Sequence, residues 1–169
     1  MPSGKAAKKI LFPVLPAYEM PNGLLGAWCC LSADEDLGYV YVPFTAPTAA
    51  YYGGHRPGDN LYSNSLVAID VTTGERVWHF QMVHHDVWDY DGVNTPVLVD
   101  IERDGKKIQA LIQAHRNGYF YCVNRENGEF IYGKPFCEVT WTDRSKGVDG
   151  LDPKTGRPFV SPAAMPTEE

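Results

Sequence analysis

The stretch LVAIDVTTGERVW at residues 66–78 returns as FYCVNRENGEFIY at residues 120–132, without a gap and 54 positions later. Apolar positions match apolar positions, Asp70 matches Asn124, Gly74 matches Gly128, and Trp78 matches Tyr132. LDPKTGRPF at 151–159 repeats the Asp-x-x-x-Gly core a third time. In such a unit the Asp or Asn caps a tight turn, the Gly supplies a positive φ, and the aromatic residue packs down after the hairpin. A period of roughly 40–55 residues built on antiparallel hairpins points to a β-propeller with one blade per repeat. Two hairpins alike by chance are the alternative. Propellers close with about four to eight blades, and at about 50 residues per blade a chain of 169 residues supplies about three. The expected fold is all-β, a partial β-propeller of three consecutive sheets, with Trp78 and Tyr132 buried in equivalent places. An open arc exposes strand edges, so further blades or self-association are expected to cover its ends.

The rest of the chain fits that reading. Strand-like runs occupy 39–44, 65–70, 76–82, 96–101, 108–114 and 118–124, separated by the turn signals TTG, RDG, RNG and ENG. No segment keeps a helical period over eleven residues. The formal charge of −6 argues against nucleic acid and against an anionic membrane surface as partners. No run of 18 apolar residues occurs. The opening MPSGKAAKKILFPVLPAYEM has lysines ahead of a short apolar run broken by Pro13, and reads as something other than a signal peptide. The four cysteines form no zinc-type spacing, and the adjacent Cys29 and Cys30 read as small buried thiols on a strand.

The densest chemistry lies in HHDVWDYDGVNTP, residues 84–96. Asp86, Asp89 and Asp91 repel one another unless a positive charge sits between them, and clustered carboxylates suit a hard, oxygen-seeking cation. On a strand, residues two apart share a face. Asp89 and Asp91 would then reach one ion, Tyr90 would turn away and pack, and Asp86, out of phase with Asp89, would matter least. A solvated acidic loop is the plainer reading. A metal hydrolase built on His84, His85 and Asp86 is a third and weaker one, since adjacent histidines on a strand point to opposite faces. Arg116 in HRNG, taken alone, is an ordinary turn arginine.

Residues 26–160 resemble the quinoprotein dehydrogenases, the pyrroloquinoline quinone (PQQ)-dependent alcohol and glucose dehydrogenases. The resemblance is carried by GAWCCLSADEDLGYVYVP, by the long stretch from YYGGHRPGDNLYSNS through HHDVWDYD, by HRNGYFYCVNRENGE and by VDGLDPKTGRPF. AIDVTTGERVW is similar to the tryptophan-docking motif that girdles the family's eight-bladed propeller. Residues 1–25 fall outside the resemblance, and residues 161–169 read as a loose tail. Full members are several times longer, so the chain corresponds to a middle portion.

The resemblance implies that Asp89, in the WDY triplet, is the catalytic base beside a PQQ-bound metal. It takes the substrate hydroxyl proton as hydride leaves for the quinone, while a calcium or lanthanide ion polarises the quinone carbonyl. Asp91 matches an extra carboxylate of the lanthanide-using members, one that the glucose-oxidising branch also carries, so Asp89 and Asp91 are the implied metal ligands. Arg116 matches the position that contacts the quinone oxygens through its guanidinium fork. The implied substrate is a small alcohol or sugar, the acceptor a cytochrome or ubiquinone, and the location the periplasm, with membrane association open.

Two departures weigh against a whole site. Where the family has a metal-binding Asn, the sequence FTAPTAAYYGG places Ala46. The family's glutamate ligand and most residues that enclose PQQ lie outside the matched region. A non-catalytic PQQ-like propeller scaffold therefore stands as the alternative to an enzyme fragment.

Overall fold

The computed structural model describes residues 25–166. The expectations for the opening segment therefore lie outside the described residues up to Leu24.

Among the described residues, eight strands form two four-stranded antiparallel sheets, each in sequence order. The first holds β1 (Ser32–Asp34), β2 (Tyr39–Pro43), β3 (Ser65–Asp70) and β4 (Arg76–Gln81), and the second β5 (Val97–Arg103), β6 (Lys106–Ala114), β7 (Tyr119–Asn124) and β8 (Phe130–Pro135). All six strand-like runs are strands. β1 and β8 escape a reading by pattern: Ser32-Ala33-Asp34 has no apolar alternation, and β8 contains both Gly133 and Pro135.

The repeat is exact at the level of register. Trp78 pairs with Ala68 and Tyr132 with Cys122, and each sheet carries a bulge at the following pair, after Ala68 and after Cys122. The turns match bond for bond. Asp70 N–H bonds the Glu75 carbonyl at 2.9 Å and Gly74 N–H the Asp70 carbonyl at 2.8 Å; Asn124 and Gly128 repeat both bonds at 2.8 Å.

Trp78 is buried, and its ring lies flat on the Asn124–Gly128 turn of the second sheet. A Cβ on Gly128 would stand 2.8 Å from ring carbons of Trp78, at a φ of +77°. The indole N–H donates to the Arg125 carbonyl at 3.2 Å. Phe80 stacks on Phe130 at 5.9 Å between the sheets. Arg125 ties the two sheets by charge, with Nε 2.6 Å from Asp34 Oδ2 and Nη1 2.9 Å from Asp100 Oδ1. Gly128→Val should cost about 2–3 kcal/mol in urea denaturation, combining overpacking against the indole with a left-handed backbone at a β-branched residue.

Three expectations need correction. Tyr132 is 38% exposed rather than buried. Its register matches Trp78, so it points to the side of the second sheet away from the first, where no further sheet stands among the described residues. Nor does the third repeat open a third sheet. Its turn has the same bonds, with Gly156 N–H on the Asp152 carbonyl and Asp152 N–H on the Arg157 carbonyl, both at 2.8 Å. Residues 142–160, however, make only the isolated bridges Thr142–Val160, Val148–Leu151 and Leu151–Pro158, because Pro153, Pro158 and Pro162 cannot donate to a ladder. Gly156 packs on the Phe130 ring instead. The tail is anchored, not loose, as far as Ala164: Pro162–Ala164 form a 3-10 turn, and the Trp88 indole donates to the Ala164 carbonyl at 2.8 Å.

Connections alternate between the two ends of antiparallel sheets. The docking turns lie at the lower end. The upper end gathers the segment before β1, the long loops 44–64 and 82–96, and the β6–β7 turn at 115–118. Every residue singled out in the WDY region, together with Ala46 and Arg116, belongs to this upper end.

Candidate functional site

Residues 84–96 are a loop, not a strand. His85, Asp89 and Asp91 have left-handed backbones, with φ of +50°, +64° and +42°, a region that Asp tolerates better than most residues. Asp89 and Asp91 therefore share no strand face. Tyr90 does pack, against Trp88 at 5.8 Å and Trp141 at 5.4 Å.

The loop is organised by Asp86, which is fully buried. Its Oδ1 accepts the backbone N–H groups of Trp88 at 2.8 Å and Asp89 at 3.1 Å. Its Oδ2 accepts Tyr90 N–H at 2.9 Å and Asn64 Nδ2 at 2.6 Å. A side chain that bonds its own following amides offers the backbone an alternative to a ladder. Burial pushes the Asp86 carboxyl up, against the pull of these four donors. The strand phase that ranked Asp86 last of the three aspartates does not exist here; what the structure shows instead is Asp86 holding the loop by hydrogen bonds, a support role that its place in the family pattern suggests.

Arg56, 1% exposed, clamps the two long loops together. Its Nη2 donates to the carbonyls of Ala49 and Ala50 at 3.3 Å and of Asp86 at 2.5 Å, and its Nη1 to Asn60 Oδ1. From the second sheet, Gln113 Nε2 donates to the Gly92 carbonyl at 3.0 Å and also holds the Asn94 carbonyl.

On this base sit the predicted site residues. Asp91 is where three elements meet: its Oδ1 accepts Ala46 N–H at 3.0 Å and its Oδ2 faces Arg116 Nη1 at 3.4 Å. Asp89 Oδ2 accepts the Tyr51 hydroxyl at 3.3 Å. Asp89 and Asp91 are half-buried, whereas the Arg116 side chain is 54% exposed. Trp28, 68% exposed, stands at the same end, and both it and Thr45 border the Cα of Gly26. The donor set at Asp89 and Asp91 is oxygen only, which suits a hard cation. It is also partial, since no three His, Cys, Asp or Glu side chains gather at one point among the described residues.

The hydrolase alternative finds no support here. The Asp86 carboxylate is committed to four donors, His85 Nδ1 lies 2.8 Å from the Gly58 carbonyl, and His84 Nδ1 is buried without a partner. The reading of Cys29 and Cys30 as buried strand thiols is corrected as well. They precede β1, Cys29 is partly buried and Cys30 exposed, and all four cysteines are free.

Two histidines give the fold a pH dependence. Burial drives His115 down to about 3 and His84 to about 4. Unfolded, both titrate near the ordinary value of about 6.5, so the unfolded chain binds more protons between those limits. Their contribution is complete above about pH 6.5 and is lost as pH falls towards the folded values. Asp86, raised by burial, acts in the opposite sense, with stability lost as pH rises through its folded value. The thermal midpoint should drop by about 5–10 °C between pH 7 and pH 5, and His115→Asn should flatten that slope.

Comparisons with known proteins extend the picture. A family model described as the glucose/ethanol/alcohol dehydrogenase β-propeller domain, PQQ, matches residues 16–166. The quinoprotein alcohol dehydrogenase PedH of Pseudomonas putida is 46% identical over 147 residues, covering 82% of this chain and 24% of that protein. The dehydrogenase subunit of the quinone alcohol dehydrogenase of Komagataeibacter europaeus is 39% identical over 132 residues, 78% of this chain and 17% of that protein. Among solved structures, the quinohemoprotein alcohol dehydrogenase from Comamonas testosteroni superposes with a TM-score of 0.75 at 35% identity, over 82% of this chain and 20% of its own. A europium-containing methanol dehydrogenase gives 0.73 at 33% identity, over 80% of this chain and 23% of its own. The chain thus spans no more than about a quarter of the length of these relatives.

Proposed function

We propose, because this chain belongs to the PQQ family of glucose/ethanol/alcohol dehydrogenase β-propeller domains, that its upper end is one sector of an active site oxidising an alcohol or a sugar. The observation that carries this reading is the meeting of Ala46, Asp91 and Arg116, residues 25 and 45 positions apart in sequence, at one carboxylate. Asp89 is the base that takes the substrate hydroxyl proton. Asp89 and Asp91 are the carboxylates offered to a calcium or lanthanide ion, and Arg116 turns its exposed guanidinium towards the quinone oxygens. Trp28 offers a flat apolar face for a planar ring. When bound, PQQ supplies the electron sink that accepts hydride from the carbinol carbon. The polypeptide containing this chain works in the periplasm and hands electrons to a cytochrome or to ubiquinone.

The site is shared with parts of the polypeptide beyond this chain. Ala46 has no side-chain donor, and among the described residues Asp89 and Asp91 alone are proposed as carboxylates that would hold the cation. The isolated chain is accordingly expected to bind PQQ with a Kd above about 10 µM, with Ca²⁺ or La³⁺ present, when followed by calorimetry or quinone absorbance. Sub-micromolar binding accompanied by dye reduction on adding alcohol would contradict the incomplete site. The same Ala46 favours a second reading, a non-catalytic propeller scaffold. That reading requires the full-length polypeptide to take up no PQQ on reconstitution with either metal.

A further inference from the structure

Tyr51 has no role in the reading above, yet its phenol reaches the proposed base. Its hydroxyl donates to Asp89 Oδ2 at 3.3 Å, while its ring is 72% exposed. An exposed tyrosine on a loop would ordinarily sample many rotamers, so what fixes its reach matters. The answer lies one residue upstream. The carbonyls of Ala49 and Ala50 accept from Arg56, whose same nitrogen also donates to the Asp86 carbonyl. Arg56 is buried, so the backbone that launches Tyr51 is tied to the backbone that launches Asp89. Asp89 is gripped from the other side too, since its own N–H donates to Asp86 Oδ1 at 3.1 Å. Its left-handed backbone, at a φ of +64°, is the kind of local strain that persists only where the surroundings over-determine it. Tyr52, the next residue, does none of this: its ring stacks on His55 at 5.6 Å.

We propose that Tyr51 is a positioning residue for Asp89: its hydroxyl, 3.3 Å from one carboxylate oxygen, restrains that side chain and leaves the other oxygen to take the substrate proton. The proposal rests on the reading of Asp89 as the base. A carboxylate held in one rotamer meets the hydroxyl without first losing torsional freedom, which is how orientation lowers a barrier. Because the phenol is uncharged, it restrains the carboxylate without neutralising it, as a lysine or arginine in that place would.

The contact can be read on the chain alone. Carbodiimide coupling of carboxyl groups, followed by mass spectrometry, should label Asp89 roughly threefold faster in Tyr51→Phe than in wild type, as expected when one modest hydrogen bond to the carboxylate is removed. Asp70, at the far end of the first sheet, should label at an unchanged rate, and Tyr52→Phe should alter neither. In the full-length holoenzyme, Tyr51→Phe should lower kcat roughly tenfold and leave KM within about twofold, the pattern of lost orientation rather than lost binding. Equal Asp89 labelling in Tyr51→Phe and wild type overturns the contact, and faster labelling with unchanged kcat overturns the positioning role. Failure of the base reading shows separately, as turnover retained by Asp89→Asn.

Discussion

Asp86→Ala is expected to cost the folded chain about 3–5 kcal/mol, the range for removing one member of a buried charged network. Three backbone amides and the Asn64 side chain lose their acceptor at once, and each buried donor left without a partner carries its own desolvation penalty. Arg56 is then left in the interior with its charge less compensated; burial already depresses its pKa, and Asp86 is the charge that opposes this. The loss should appear as a lower urea midpoint. It should be accompanied by faster hydrogen exchange across residues 86–91, while the amides of β6 and β7 stay protected.

Asp89→Asn should show the opposite pattern. Its carboxylate is half-buried and bonds only the exposed Tyr51 hydroxyl among the contacts described above, so stability should change by no more than about 0.5 kcal/mol. In the full-length polypeptide, turnover should fall by about 10²–10⁴-fold, the usual cost of removing a general base, with a further loss from weaker cation binding because hard cations depend on carboxylate charge. Steady-state assays with Ca²⁺ and with La³⁺ check this, and Asp89→Asn should be impaired with both.

Much of this organisation was legible in the chain. The 54-residue repeat predicts not only two hairpins but the register of each, because a turn capped by Asp70 or Asn124 fixes where the strand partners begin. It places Trp78 on its seat, since Gly128 recurs where an indole needs a surface without a Cβ. The resemblance singles out Ala46, Asp91 and Arg116, and the chain brings these three residues together.

Other features were hidden for physical reasons. Alternation along HHDVWDYD mimics a strand, but the Asp86 side chain satisfies the amides a ladder would otherwise take. Arg56 gives no sign of burial, because a charged residue is rarely interior unless paired, and its partners, the Asn60 side chain apart, are backbone carbonyls invisible to a sequence pattern. Tyr132 matches Trp78 in register yet differs in exposure, which depends on a neighbouring sheet and not on the residue itself. The third repeat keeps its turn but loses its strands to proline.

In the proposed function the Asp89 carboxylate, reached by the Tyr51 hydroxyl and carried on a backbone N–H held by Asp86, moves the substrate proton. Stopped-flow absorbance of the full-length Asp89→Asn polypeptide, loaded with PQQ and metal and mixed with alcohol, tests it most directly, because cofactor occupancy and reduction are read in one trace. The account predicts a quinone spectrum of normal intensity that alcohol reduces at least about 10²-fold more slowly than in wild type. Reduction at the wild-type rate would contradict it.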